Sequence, residues 1–162
     1  MTIDNNGTIY ISDTFANKIY EFNESWSSTE KPRVFVVGVK TDGPNGLYVK
    51  GTELFVASWG IAEPDFSTKV PGTLFKFDIT SHEKKLIVQK PFGNLDGLEM
   101  DSKGNFIISD WKLGIIYRVS PSGKVKKIME GIKNSADIGL DVKTNTLYIP
   151  SMSENKIIVK KL

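Results

Sequence analysis

The chain of 162 residues has the length of one domain, and its composition, 40% hydrophobic and 25% charged with a net charge of +2, is ordinary for a globular protein. The dispersed lysines form no basic patch that would indicate a nucleic-acid partner, and no apolar run is long enough to span a membrane. The absence of cysteine excludes disulfides, thiolate nucleophiles and cysteine metal sites. The N-terminal MTIDNNG lacks the basic and apolar regions of a signal peptide, so we expect a soluble protein whose compartment stays open.

Short apolar blocks rich in Ile, Val, Phe and Tyr alternate with turn residues along the chain, which is typical of an all-β protein. The blocks fall into four units, at about residues 1–40, 41–92, 93–133 and 134–162. The predicted strands are 2–4, 8–12, 18–22 and 33–38 in the first unit, 45–49, 54–58, 73–77 and 85–89 in the second, 96–100, 106–110, 115–119 and 125–129 in the third, and 138–142, 147–151 and 156–160 in the fourth.

The units repeat one pattern, in which Asp13, Ser58, Asp110 and Ser151 occupy equivalent positions at the ends of the second strands. A repeat of ~40–50 residues with four strands has the period of a propeller blade. We therefore predict a single β-propeller domain over residues 1–162, built of four-stranded antiparallel blades. The second strands are apolar without alternation, which predicts that both of their faces are buried between neighbouring blades.

The segment 124–133 admits a second interpretation, because its apolar residues have the spacing of a short amphipathic helix. The equivalent segments of the first two units, RVFVVG and KLIVQK, are strand-like. The repeat therefore favours a strand here.

Asn45 and Asp96 stand at the start of the first strands of the second and third units. Because successive strands of a meander reverse direction, the starts of first strands and the ends of second strands lie at the same end of a propeller. The longest loop, 59–72, follows a second strand and emerges at that end as well. Long loops of this kind often carry binding functions.

The stretches GPNGLYVKGTELFVAS, LDGLEMDSKGNFIISDW and SADIGLDVKTNTLYIPSMSENKIIVKKL resemble the senescence-marker-protein/gluconolactonase family of regucalcin-like six-bladed propellers. The resemblance covers essentially the whole chain. It implies a divalent cation (Ca²⁺, Mg²⁺, Mn²⁺ or Zn²⁺) at the channel mouth, bound by Asn45 of the NGL motif and Asp96 of the DGL motif together with a glutamate from the first blade. It also implies that Asp96 is catalytic, as the base in lactone hydrolysis. Carboxylate and amide oxygens suit hard cations of this kind.

The chain departs from that family pattern in its number of units, since four cannot make six blades. The position equivalent to Asp96 in the first unit would precede Met1, and we expect the family glutamate outside this sequence as well. In the fourth unit Ile138 is aligned with Asn45 and Asp96, and Asp137 is only a neighbour. The sequence therefore favours a C-terminal portion of a six-bladed propeller over a four-bladed ring, with self-association through open blade edges as a consequence.

Each candidate residue also has a purely structural interpretation. Asn-Gly and Asp-Gly are common turn dipeptides, and on this interpretation Asn45 and Asp96 are turn residues whose side chains bind local backbone amides. Recurrence at one repeat position predicts that Asp13 and Asp110 cap loops. The tryptophans that follow equivalent positions, Trp59 and Trp111, fit packing between blades better than stacking on a substrate. The single histidine, His82, reads as a solvated loop residue, and one histidine excludes a Ser/His/Asp triad.

Two functions of different classes remain open. The first is a divalent-metal-dependent, gluconolactonase-like hydrolase of small lactones or esters, whose activity as this chain alone is unsettled. The second is a non-catalytic propeller that binds a small molecule or a protein at the channel mouth through the loop 59–72.

Overall fold

The computed structural model describes residues 1–23, 25, 31–38, 41–65 and 67–162. Residues 39–40, at the end of the first predicted unit, and residue 66, within the long loop, lie outside the described residues.

The described chain is almost entirely β-strand and turn. The strands are β1 Thr2–Ile3, β2 Thr8–Asp13, β3 Lys18–Asn23, β4 Arg33–Val37, β5 Pro44–Lys50, β6 Glu53–Ser58, β7 Leu74–Asp78, β8 Lys84–Leu86, β9 Leu95–Met100, β10 Phe106–Asp110, β11 Ile115–Val119, β12 Val125–Met129, β13 Gly139–Asp141, β14 Thr146–Ser151 and β15 Lys156–Lys161. A single 3₁₀ turn, Met152–Glu154, joins the last two strands. No helix in the described part has the length and apolar character that crossing a membrane requires.

The strands form four antiparallel meanders that follow the chain. The sheets have the orders β1-β2-β3-β4, β5-β6-β7-β8 and β12-β11-β10-β9, and the fourth has the order β13-β14-β15. Each sheet is one propeller blade, and the predicted all-β propeller architecture is confirmed. In the text below, the first to fourth blades are these four sheets in chain order.

Most predicted strands agree with the observed ones to within one or two residues at each end, and two fourth strands need comment. The segment with helical spacing forms β12, which pairs with β11 through Val119 and Val125, so the strand interpretation is confirmed. The predicted strand 85–89 is wrong at its C-terminal end, because β8 stops at Leu86. The chain bends there so that Val88 enters the core, where its carbonyl accepts a hydrogen bond from the Thr73 hydroxyl at 2.8 Å.

Three hydrophobic clusters lie between successive blades and hold them together. Tyr10 and Phe35 of the first blade pack with Phe75 and Phe77 of the second. Phe55 of the second blade packs with Phe106 and Ile108 of the third, and the rings of Phe55 and Phe106 lie 4.9 Å apart. Ile107 and Ile116 of the third blade pack with Leu147 and Ile149 of the fourth. Burial of such side chains contributes about 1.5–3 kcal/mol each, so the seams supply the stability of the stack.

The second strands confirm the predicted two-sided burial only in part. All residues of β10 are buried, and β6 is buried from Leu54 to Ser58. In β2, however, Tyr10 is buried while Ile11 is exposed. The prediction is wrong for this strand because only one of its faces has a blade packed on it.

In three of the blades, the same aspartate hydrogen bond closes the turn after the first strand. The carboxylates of Asp4, Asp101 and Asp141 accept hydrogen bonds from backbone amides two residues ahead, at 2.8–3.0 Å. Such aspartate turns replace backbone pairing at the tip of a hairpin. These three residues therefore mark equivalent positions along the chain.

Candidate site on the first strands

Asn45 and Asp96 lie within strands, near the start of β5 and β9, where the pairing with the second strand is irregular. In β5 the register shifts between Pro44 and Gly46, and in β9 it shifts opposite Ser109. A bulge of this kind re-aims the side chains beside it. The interpretation of the two dipeptides as turns is therefore wrong, because both lie within strands.

The glycine after each of these residues lets neighbouring first strands approach closely. A Cβ atom on Gly46 would lie 2.2 Å from the backbone oxygen of Asp96, and one on Gly97 would lie 2.5 Å from the backbone nitrogen of Ile138. Only glycine fits where two backbones are this close. The NGL and DGL motifs thus bring the first strands of three successive blades side by side.

This close approach brings Asn45 and Asp96 together. Burial, followed by the negative charge of Asp137, raises the pKa of Asp96 to about 6, against the opposing effect of a hydrogen bond from the side-chain amide of Asn45. An amide that stabilises a carboxylate must lie against it. The two residues singled out from the sequence are therefore neighbours across the seam between the second and third blades.

Glu99 and Asp137 belong to the same region and were missed as candidate residues. Burial raises the pKa of Glu99 to about 7, with the Asp137 charge adding to the rise and the backbone amide of Leu140 opposing it. Burial is also the main cause that raises the pKa of Asp137. Burial, followed by the charge of Glu99, raises the pKa of Tyr48. We call Asn45, Tyr48, Asp96, Glu99 and Asp137 the channel cluster.

A sequence signal for two of these residues existed. Tyr48 and Glu99 each stand three residues after a candidate residue, at one position of the repeat. The turn aspartates Asp101 and Asp141 give a corrected alignment of the fourth blade with the third. This alignment places Ala136 at the position of Asp96.

Inter-blade hydrogen bonds confirm this alignment. The hydroxyl of Ser12 donates to the carbonyl of Asn45 at 2.7 Å, and the equivalent hydroxyl of Ser109 donates to the carbonyl of Ala136 at 2.9 Å. The alignment of Ile138 with Asp96 was therefore wrong by two residues. It failed because the glycine of DIGLD was matched to the glycine of DGLEM, whereas the turn aspartates fix the register.

Asp13 and Asp110, at the ends of second strands, cap loops as predicted, and the equivalent residues Ser58 and Ser151 also bind backbone groups. A carboxylate oxygen of Asp13 accepts from the Ala16 amide at 2.9 Å, and that of Asp110 accepts from the Leu113 amide at 2.9 Å. Ser58 and Ser151 donate to backbone carbonyls of Thr73 and Lys133, each at 3.0 Å. These contacts close loops at the end of the molecule that carries the candidate site.

The loop 59–72 lies against the start of β9. The side-chain amide of Asn94 donates to the carbonyl of Trp59 at 2.8 Å and to the hydroxyl of Thr68 at 3.0 Å. The rings of Trp59 and Trp111 lie 5.5 Å apart, and Trp59 is only 8% exposed. The predicted packing role of these tryptophans is confirmed. The described part of the loop thus lies beside the strand that carries Asp96.

His82 lies away from the channel cluster. It is an exposed turn residue, as predicted, and its ring packs 4.4 Å from that of Phe35.

The donor chemistry of the channel cluster fits one side of a hard-cation site. Asn45 and Asp96 offer an amide oxygen and a carboxylate, which are ligands that Ca²⁺, Mg²⁺ and Mn²⁺ prefer. Within the described ranges, no three histidine, cysteine, aspartate or glutamate side chains converge in a way that could hold a metal ion. The residues present therefore supply part of a coordination shell, with Asp96 as its charged member.

No protein-family model matches the sequence, and no curated protein sequence matches it significantly. Among solved structures, the calcium-binding protein regucalcin from Agrobacterium tumefaciens matches with a TM-score of 0.73 and 18% identity, over 99% of this chain and 52% of that one. A gluconolactonase from Xanthomonas campestris matches with a TM-score of 0.68 and 16% identity, over 92% of this chain and 52% of that one. Virginiamycin B lyase from Staphylococcus aureus matches with a TM-score of 0.63 and 14% identity, over 99% and 54%.

This chain spans about half the length of each of these proteins. At such low identities the likeness concerns the fold, and proteins with different printed activities share it. The resemblance read from the sequence is confirmed at that level: the chain has a propeller fold like that of regucalcin and gluconolactonase.

Proposed function

We propose that this polypeptide contributes the metal-binding and basic residues of a gluconolactonase-like hydrolase of small lactones or esters. The observation that carries the proposal is the approach of Asn45 to Asp96 across the blade seam, where Gly46 packs on the Asp96 backbone and the carboxylate of Asp137 acts on that of Asp96. A divalent cation bound by these oxygens would polarise the carbonyl of a lactone. The identity of the metal and of the lactone is left to the experiment.

Asp96 has the properties of a general base in this proposal. Without a bound cation the pKa of Asp96 is about 6, so its carboxylate is mostly ionised at neutral pH. An ionised carboxylate can accept a proton from an attacking water. The water oxygen then forms a bond to the carbonyl carbon, the ring carbon–oxygen bond breaks, and Asp96 returns the proton to the departing oxygen. The products are a hydroxy acid and the unchanged carboxylate.

Hydrolysis of gluconolactone by the purified chain tests this proposal, with acid release followed by an indicator in Mn²⁺, Ca²⁺, Zn²⁺ or EDTA. We expect metal-stimulated hydrolysis that falls about 100-fold or more in Asp96→Asn, the usual range for loss of a general base. Asn45→Ala should need roughly tenfold more metal for half-maximal rate. Asp141→Asn, which alters a turn carboxylate outside the channel cluster, is the matched control and should behave like the parent chain.

Equal rates in EDTA and in metal, or equal rates for Asp96→Asn and Asp141→Asn, would refute the hydrolase proposal. Circular dichroism of each variant separates loss of activity from loss of fold. The non-catalytic binding function at the channel mouth would then be the remaining candidate.

A further inference from the structure

A second cleft lies between the second and third blades, at the opposite end from Asn45 and Asp96. It has a volume of about 760 Å³. Strands β5 and β9 begin at the candidate site and finish at Lys50 and Met100, which line this cleft. The turn after β5, the edge strand β8 and two turns of the third blade form its walls.

The strand register places three lysines on the face of the second blade that borders the cleft. Lys50 is paired with Glu53 across β5 and β6, and Phe55 is paired with Lys76 across β6 and β7. Lys76 is in turn paired with Lys85 across β7 and β8. Directly opposed residues of an antiparallel pair point to the same face, so these side chains form one row.

The positive charge of this row is only partly neutralised. Glu53 forms an ion pair with Lys76. The ammonium of Lys50 lies 3.7 Å from the sulfur of Met100, and within the described ranges neither Lys50 nor Lys85 has a carboxylate partner. Like charges that face each other across two strands destabilise the pair, and Lys76 and Lys85 do so here.

The other carboxylate at the end of this row is already engaged. Asp78 accepts hydrogen bonds from the backbone amides of Thr80 and Ser81 and from the Ser81 hydroxyl, at 2.8–3.0 Å. It therefore closes its own turn. An anion from outside would have two cations available to it.

The cleft is preformed and has an apolar side. A Cβ atom on Gly123 would lie 2.1 Å from the backbone oxygen of Ile87, so the β11–β12 turn of the third blade is packed directly on the chain after β8. Phe55, Met100 and Phe106 form the floor, and Leu86 lines the rim. A concave site that combines apolar surface with a few charged groups is a common form of a small-ligand pocket.

We propose that this cleft binds a small organic anion whose carboxylate or phosphate group is held by Lys50 and Lys85 and whose apolar part lies on the floor. The charge of the row selects an anion, and the floor selects an anion that carries an apolar group. The site is independent of the channel cluster, and its occupation does not depend on hydrolysis.

Nuclear magnetic resonance titration of the ¹⁵N-labelled full chain tests the proposal, with phenyl phosphate and benzoate as probes. Benzamide, which is neutral, and inorganic phosphate, which lacks the apolar group, separate the two parts of the recognition. The variant is Lys50→Gln with Lys85→Gln. Two controls are made, the single variant Lys143→Gln and the double variant Lys143→Gln with Lys160→Gln. The double control removes two positive charges on the fourth blade, away from the cleft.

We expect phenyl phosphate or benzoate to shift the amide signals of Gly51, Ile87 and Ser122, with a dissociation constant on the order of 1 mM. Affinity should fall at least about tenfold in the cleft variant and in high salt, and stay within about twofold in the control. Benzamide and inorganic phosphate should each bind more weakly than phenyl phosphate. Absence of shifts at these amides, equal losses in variant and control, or equal binding of benzamide would overturn the proposal.

Discussion

Equivalent positions of the repeat differ in solvent exposure between the second and third blades, which have a neighbour on both sides, and the first and fourth, which have one. One position of the second strand faces the preceding blade, and it is occupied by Ile11, Val56, Ile108 and Ile149. The last three are fully buried, whereas Ile11 is 37% exposed. On the following side, Tyr10, Phe55 and Ile107 are buried, whereas Tyr148 is 42% exposed. One sequence pattern thus produces a core residue or a surface residue, depending only on whether a blade is packed against it.

The exposed faces extend over whole sheets. On the first blade, Ile3 and Val34 are exposed together with Ile11, and on the fourth blade Ile157 and Val159 are exposed beside Tyr148. Contiguous apolar surface of this kind marks a site of interaction. Both faces of a blade are therefore apolar, whether or not another blade covers them.

The largest expected effect on stability comes from shortening the isoleucine side chain at one repeat position, which we compare between the third blade and the first. Ile108→Ala should lower the free energy of unfolding by about 3–4 kcal/mol, because it leaves a cavity between the second and third blades. Ile11→Ala, at the equivalent position, should cost less than about 1 kcal/mol. Urea denaturation followed by fluorescence measures both. Equal losses would show that the first blade is packed on both faces in solution.

Glycine substitutions probe the close approach of the first strands. Gly97→Ala should cost about 2–3 kcal/mol, because its Cβ would meet the backbone nitrogen of Ile138. Gly139→Ala is the control, since a Cβ there meets nothing within 4 Å and its backbone is not left-handed. Thermal denaturation compares the two. If Gly97→Ala were as stable as the control, the first strands would not be in the contact described.

The uncovered apolar faces should promote self-association of the chain. Self-association was also expected from the sequence, through open blade edges. We expect sedimentation velocity at micromolar concentration to show species larger than the monomer. The double variant Ile11→Lys with Ile157→Lys should weaken association at least tenfold, which corresponds to about 1.4 kcal/mol. Lys161→Gln, on the same strand as Ile157, is a control that keeps the apolar faces intact. A monodisperse monomer for the parent chain would contradict this expectation.

The smallest expected effect concerns the pH dependence of stability that comes from Glu99. At its position in the repeat, a threonine hydroxyl makes the contact between the first and second blades, and an ionisable carboxyl makes it between the third and fourth. Thr2 receives a hydrogen bond from the Val49 amide at 3.3 Å, and Glu99, its equivalent, interacts with the Leu140 amide. The folded-state pKa of Glu99 is raised from 4.5 to about 7. The folded chain therefore binds more protons than the unfolded chain between these values, and stability should decrease as pH rises through that window.

Glu99→Gln should make this decrease smaller by an amount on the order of 1 kcal/mol after allowance for solvent screening, and the part that comes from Asp96 and Asp137 should remain. Unfolding by urea at several pH values, in EDTA, measures the effect, and Glu83→Gln in an exposed turn is the control. A stability profile that is unchanged in Glu99→Gln would show that the Glu99 carboxyl titrates normally.

Much of the fold could be predicted from the sequence because the repeat supplies evidence that a single segment lacks. The segment 125–129 has helical spacing, and only its equivalence to other fourth strands identifies it as a strand. The exposed face of β2 could not be predicted in the same way. TIYIS reads like the inner strands, and its exposure depends on a tertiary neighbour rather than on local sequence.

The candidate site was predicted only for residues within motifs, although the repeat also relates Tyr48 to Glu99. Asn45 and Asp96 carry a recognisable dipeptide, whereas Asp137 reaches the site from a blade whose first strand was aligned two residues out of register. The pKa of Glu99 depends on burial and on neighbours from another blade, neither of which the sequence states.

The capped turns described for Asp4, Asp101 and Asp141 have a consequence for how the chain folds. Each closes a hairpin between strands that are adjacent in sequence, and the strands of every sheet come from one contiguous stretch of the chain. Contacts of short sequence separation form quickly, and stacked units gain stability from their nearest neighbours. Each blade can therefore acquire its structure as it leaves the ribosome and serve as the template on which the following blade condenses.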